Sequence, residues 1–152
     1  MIFKRVLIPI DLSFTDMVKQ EVEVEVALAL IEPSGVIDIV YVDDAKTHHS
    51  LAPTVSDSVF SKQHQHAFDS LKEILKHCVP RPNRGSAMIR NGVVADEILR
   101  QAKKSSVDAI VMVSKSPKLS SYINGSTAAK IVRHSDCSVF VLKHHAATMI
   151  ER

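Results

Sequence analysis

The chain has 152 residues, 45% of them hydrophobic and 24% charged, with 19 Lys and Arg against 17 Asp and Glu for a net charge of +2. That length suits one domain around one core, and the apolar fraction excludes disorder as the main state. No apolar run reaches the roughly 18 residues of a membrane span, and the charge balance gives no bulk argument for nucleic acid.

Ile2 to Ile10 is a short apolar run, broken by Lys4-Arg5 and ended by Pro9-Ile10-Asp11, which fits a strand buried on both faces. Met1-Ile2-Phe3-Lys4-Arg5 runs straight into Val6-Leu7-Ile8, so the start reads as lacking a signal peptide. Ser13 reads as an N-cap, with Asp16 in the capping-box position. The next segment is two-sided. Glu21 to Val26 alternates with period two, as a strand would, while Val18, Val22, Val26, Ala29 and Leu30 share a helical face. The cap and Ala27-Leu28-Ala29-Leu30 favour a helix over 13–31. Pro33-Ser34-Gly35 predicts a turn, and the β-branched run Val36 to Val42 a second strand. Asp43 to Ser58 reads as a loop of a length that suggests function. Phe60, His64, Phe68, Leu71 and Leu75 give a helix over 60–79 one face, and Pro80-Arg81-Pro82 stops it. Ser86 to Arg90 predicts a third strand, Asn91-Gly92 a turn, Ala95 to Lys104 a helix with Ile98, Leu99 and Ala102 inward, and Ala109 to Val113 a fourth strand. A loop over 114–125, a helix over 126–134 and a strand over 138–143 complete the order.

Strands alternating with helices imply right-handed βαβ units and a parallel sheet covered on both faces. Such sheets bind ligands beyond the strand carboxyl ends, where strand order reverses. Asp11, Val42 to Asp44, Gly92 and the 113–126 loop stand at those ends. Gly125-Ser126-Thr127 opens the last helix, where unpaired N–H groups and partial positive charge suit an anion; the plain alternative is an ordinary N-cap. Asp11 can accept from a ribose hydroxyl or an adenine amine, or serve only its turn. Lys115 and Lys118 can meet phosphates or remain solvated.

Other chemistries find less support. Cys78 and Cys137 lie far apart with no CxxC pair or zinc framework, which fits a reducing cytoplasm, and Cys137 reads as a small buried residue. The eight histidines show neither HExxH nor an i, i+4 pair: His48-His49 and His144-His145 are adjacent, and His64 and His66 diverge on their helix. No nucleophile elbow, Walker A loop or dinucleotide fingerprint is present. Asp11 and Lys143 superficially fit a phosphoacceptor receiver, but that fold needs an aspartate after its third strand, where Asn91 stands.

Val6-Leu7-Ile8-Pro9-Ile10-Asp11, Asn91-Gly92, Asp108-Ala109-Ile110-Val111-Met112 and the block from Gly125-Ser126-Thr127 to Val141-Leu142-Lys143 together resemble the universal stress proteins, and the final block is the specific one. The resemblance implies a doubly wound α/β fold, a five-stranded parallel sheet of order 3-2-1-4-5 with helices on both faces. It implies one domain over 1–145, with 146–152 a short tail. It also implies an ATP-binding, nucleotide-responsive module in the cytoplasm, a homodimer joined along the last strand (Val139, Phe140, Val141, Leu142), with no nucleic-acid or membrane partner. Of the family's glycine-rich phosphate pattern only Gly125-Ser126 is kept. Ser114-Lys115-Ser116-Pro117 replaces the upstream glycines, as in the bacterial F/G-type subgroup, with Ser116 where that subgroup tends to carry arginine. Carried over by position, Pro9, Asp11 and Val42 would address adenosine, and Gly92 would admit the ribose or phosphates. Ser114, Gly125, Ser126 and Thr127 would hold the phosphates of ATP, with or without Mg2+, and Lys115 or Lys118 would replace the missing cation. No general base emerges, so the chain is read as a binding protein capable at most of slow hydrolysis. The alternative is a stress protein that has lost the nucleotide and acts through dimer or partner contacts alone.

Overall fold

Val6, Leu7 and Ile8 have no solvent exposure and Ile10 almost none, so beyond Lys4-Arg5 the first strand is covered on both faces, as its apolar run predicts. A computed structural model describes residues 2–12, 17–44, 57–114 and 125–143. Its elements run β1 (Phe3–Pro9), α1 (Met17–Leu30), β2 (Ile31–Asp43), α2 (Asp57–Cys78), a 3-10 turn (Arg81–Asn83), β3 (Arg84–Asn91), α3 (Val94–Lys104), β4 (Ala109–Ser114), α4 (Gly125–His134) and β5 (Ser138–Lys143). All strand pairs are parallel, in the order β3-β2-β1-β4-β5. The doubly wound sheet expected from the element order is therefore present.

Two apolar layers flank the sheet. Val6, Ile8, Ile37, Ile39 and Val111 pack with Val24 and Ala27 of α1 and Leu71 and Ile74 of α2. Leu7, Val40, Val42, Ile110 and Met112 face the other way, onto Ile98 of α3 and Ile131 of α4. The period-two alternation of strand side chains sorts each run between the layers.

Several boundaries and faces differ from the sequence reading. Pro33-Ser34-Gly35 lies inside β2, where register passes from Phe3↔Ile31 to Arg5↔Val36. Three extra residues are accommodated there, because proline cannot supply a ladder N–H and a local irregularity absorbs it. The predicted loop from Asp43 to Ser58 is shorter, since Asp43 closes β2 and α2 already begins at Asp57. Asn91 belongs to β3, and only Gly92 follows it as a turn residue. Ser13 and Asp16, and with them the expected cap, lie outside the described residues. The buried face of α1 is Gln20, Val22, Glu23, Val24 and Ala27, while Ala29 is exposed, so two polar side chains replace part of the expected valine stripe. Cys137 is half-buried rather than buried, since it stands in the turn just before the edge strand β5, with its thiol 3.2 Å from the Ser135 hydroxyl.

Asp38 is a charged residue in the middle of β2 with no exposure. Its carboxylate accepts the Ser86 N–H at 2.7 Å and the Arg5 guanidinium at 3.1 Å, which satisfies a group that would otherwise be costly to bury. The approach needs Gly85: a Cβ there would collide with the Asp38 carboxylate and lie 2.7 Å from the Ile37 carbonyl oxygen. Gly85→Ala is therefore expected to lower stability by about 1–3 kcal/mol, through overpacking against a charge that cannot leave. Urea denaturation of both proteins checks this, and an unchanged midpoint would count against the account.

Candidate functional site

The two central strands part company halfway along. β1 pairs with β4 only at Val6↔Ala109 and Leu7↔Ile110, although β4 continues to Ser114 and stays paired with β5 throughout. Below the pairing, Asp108 clamps the strands. Its carboxylate accepts the N–H groups of Lys4 at 2.7 Å and Arg5 at 2.9 Å, and its own N–H donates to the Arg5 carbonyl at 2.8 Å. Above it, Pro9 brings no donor to the ladder. The Val113 N–H is met instead by a side chain: Glu23 of α1, 6% exposed, accepts it at 3.0 Å. One turn earlier on α1, Gln20 is 5% exposed and its Oε1 has no hydrogen-bond partner among the described residues. The carboxyl ends of β1 and β4 thus open around a polar lining, at the place where strand order reverses.

The sequence-predicted residues that the structure describes stand at or just past the carboxyl ends of β1, β2, β3 and β4 and at the start of α4. Pro9 ends β1, and half-buried Asp11 follows it. Val42 is fully buried near the end of β2, and half-buried Ser114 is the last residue of β4. Gly125, Ser126 and Thr127 form the first turn of α4, which packs through Ala128 and Ile131 and carries an exposed 2.7 Å ion pair from Lys130 to Asp96 of α3. Lys115 and Lys118 lie outside the described residues. Gly92 has a backbone role: its φ is +141°, its N–H donates to the Asp43 carbonyl at 3.0 Å, and a Cβ would lie 3.1 Å from Glu97 Cγ. Glu97, 6% exposed, is held by Arg90 at 2.9 Å and by Arg100.

At the β1–β2 side stand residues that sequence reasoning missed. The His64 imidazole of α2 lies 3.3 Å from the Asp43 carboxylate. Tyr41 is half-buried, and burial, followed by the negative charges of Asp43 and Asp11, pushes its phenol above the ordinary 10.0. It is therefore a neutral donor at physiological pH, beside acceptors. The opening is polarised: carboxylates gather at the ends of β1 and β2, and a helix N-terminus with its partial positive charge stands beyond β4. Such a site suits a ligand with donors at one end and an anion at the other. Other chemistry lacks a centre among the described residues. No group of three or more His, Cys, Asp or Glu is arranged to hold a metal. Burial, with Glu21 adding to it, pushes the Cys78 thiol up and away from nucleophilic use.

A parallel sheet wound both ways from an opening at its point of reversal defines the doubly wound α/β proteins, whose ligands sit at the strand carboxyl ends. The chain belongs to the universal stress protein family, whose sequence pattern matches residues 2–143. It is 28% identical over 143 residues to universal stress protein G of Shigella flexneri, covering 93% of this chain and 99% of that one. Among solved structures, the universal stress protein UspA from Lactobacillus plantarum shares the fold at 22% identity and a TM-score of 0.67, over 91% of this chain and 97% of that one. An Arabidopsis thaliana family member with AMP bound matches at 21% identity and a TM-score of 0.57, over 92% and 91% of the two chains. The Archaeoglobus fulgidus protein in complex with dAMP matches at 14% and 0.55, over 94% and 100%.

The Glu23 contact generates a test. Glu23→Ala leaves the buried Val113 N–H without an acceptor and is expected to cost about 1–3 kcal/mol of stability. Glu23→Gln keeps an oxygen in place and should recover most of it. Thermal melts of the three proteins decide, and equal losses in both variants would contradict the acceptor role.

Proposed function

We propose that this protein binds an adenine nucleotide, ATP in particular, in the opening between β1 and β4 and acts as a nucleotide-responsive homodimer of the cytoplasm. The observation that carries the reading is the polarity of the opening, with Asp11 and the end of β2 on one side and the first turn of α4 on the other. The residues fit the ligand's chemistry. Carboxylate and carbonyl acceptors suit the ribose hydroxyls and adenine amine, and backbone N–H groups of residues 125–127 with the Ser126 hydroxyl suit phosphate oxygens. The AMP and dAMP complexes of the structural relatives support the same ligand class. The reading assigns no catalytic residue.

Calorimetric titration tests it. ATP is expected to bind much more tightly than adenosine, since only ATP reaches the helix N-terminus. Asp11→Ala should weaken ATP by about 1.5–3 kcal/mol, the value of a charge-assisted hydrogen bond. Gly125→Val should hurt more than Ser126→Ala, because a Cβ intrudes where backbone donors approach the phosphate. Equal affinity for adenosine and ATP would remove the phosphate site, and binding of neither would leave the nucleotide-free reading.

The dimer is supported by β5, which among the described residues pairs only with β4 and carries half-buried Val139, Phe140, Val141 and Leu142. A bare apolar edge invites pairing, and a two-fold mate closes it. Solution scattering at micromolar concentration should give twice the chain mass; a monomer mass would contradict it.

A further inference from the structure

The sheet has a second edge strand. Among the described residues β3 pairs with β2 alone, and a cavity of about 1150 Å³ runs beside it. Four consecutive β3 residues, Ala87 to Arg90, line that one cavity. Successive strand side chains point to opposite faces, and here Ala87 and Ile89 pack with the α1–α2 layer and Met88 with the α3–α4 layer. A single cavity reaches all four only along the strand's free edge, where the backbone groups turned away from β2 are also presented.

The two faces of this edge differ in chemistry. The side of Ala87 and Ile89 is apolar and is extended by Phe68 of α2. The side of Met88 and Arg90 carries Arg90 and, from α3, Lys104, and the basic lining of the cavity continues to Lys4 and Arg5 at the start of β1. Arg5, Arg90, Lys4 and Lys104 line the cavity against one acidic residue, Asp108, whose carboxylate is already committed to two backbone N–H groups. Arg5 is oriented by Asp38 and Arg90 by Glu97, and Glu97 is shared with Arg100, so two guanidiniums are held in place by one carboxylate. Lys4 and Lys104 have no ion-pair partner among the described residues.

We propose that the free edge of β3 docks an extended segment of a partner protein in which acidic and apolar residues alternate. The segment adds a strand beside β3. Its backbone meets the open edge, its apolar side chains lie toward Ala87, Ile89 and Phe68, and its carboxylates lie toward Arg5, Arg90, Lys4 and Lys104. Alternation follows from the two-residue period of a strand, and acidity from the charge of the α3 side. The surface is separate from the β5 edge and from the opening between β1 and β4, so the proposal does not depend on nucleotide binding.

Titrating the isotope-labelled full-length chain with a blocked peptide of four Glu-Val repeats tests this by amide chemical shifts. The shifts are expected to concentrate at residues 84–91, with slowed amide exchange there. Affinity should fall by about tenfold or more in roughly 0.5 M salt, as ion pairing is screened. The exposed pair of changes Lys4→Glu with Lys104→Glu should weaken binding by a similar factor at an unchanged melting temperature. If that variant does not fold, the wild-type salt dependence and a matching Lys-Val peptide decide. Equal binding of the Lys-Val peptide, shifts centred on β5, or no binding at millimolar peptide would overturn the proposal. So would tripolyphosphate shifting the residues that line the cavity while the peptide shifts none, which would mark a small-anion site instead.

Discussion

The separation of β1 from β4 is the constraint on which the rest of the site depends. Two parallel strands that stayed paired to their ends would leave no room between them. Here they are clamped at the bottom by Asp108 and released above Leu7 and Ile110. The release is sustained because both strands have other uses for their backbone. Pro9 has no N–H to contribute, and the Val113 N–H goes to Glu23. A buried donor without an acceptor would close such a gap or destabilise it, so the carboxylate on α1 is what lets the opening persist. The windings accompany it, since α1 and α2 pack on one face and α3 and α4 on the other.

Much of this was legible in the sequence. The apolar runs of β1, β2 and β4 and their alternation with helices carried the sheet, and the block from Gly125 to Lys143 carried the family. What escaped was a set of carboxylates, two of them buried, whose partners lie far off in the chain. Glu23 sits in Glu-Val-Glu-Val-Glu-Val, where alternation points to a strand and valines dominate any helical reading. Its burial depends on meeting Val113, ninety positions away in the chain. Asp38 interrupts a β-branched run and looks like a strand's polar face until Ser86 and Arg5 are brought to it. Asp108 reads as a residue before a strand, yet it ties that strand to β1. Long-range partners decide all three, and local pattern does not record them. The spacing of Gln20, Glu23, Val24 and Ala27 at helical intervals was the one available sign that a carboxylate shares the inner face of α1.

Glu97 links the turn after β3 to the edge of that strand. It packs against Gly92 at the turn after β3 and holds Arg90 on the basic side of the β3 edge. The positive φ of Gly92 and the closeness of the Glu97 side chain disfavour a larger residue there for reasons internal to the fold. The open edges divide in character as well. β5 presents an apolar run suited to a copy of itself, whereas β3 is apolar on one face and basic on the other and suits a chain of different composition.

The central claim is that the opening between β1 and β4 is a nucleotide site, and the most direct measurement is mass spectrometry of small molecules released by denaturing freshly purified protein, together with equilibrium dialysis against ATP. The account predicts an adenine nucleotide in the released fraction, or saturable uptake of one ATP per chain that Asp11→Ala weakens. No released nucleotide and no uptake at millimolar ATP would contradict it.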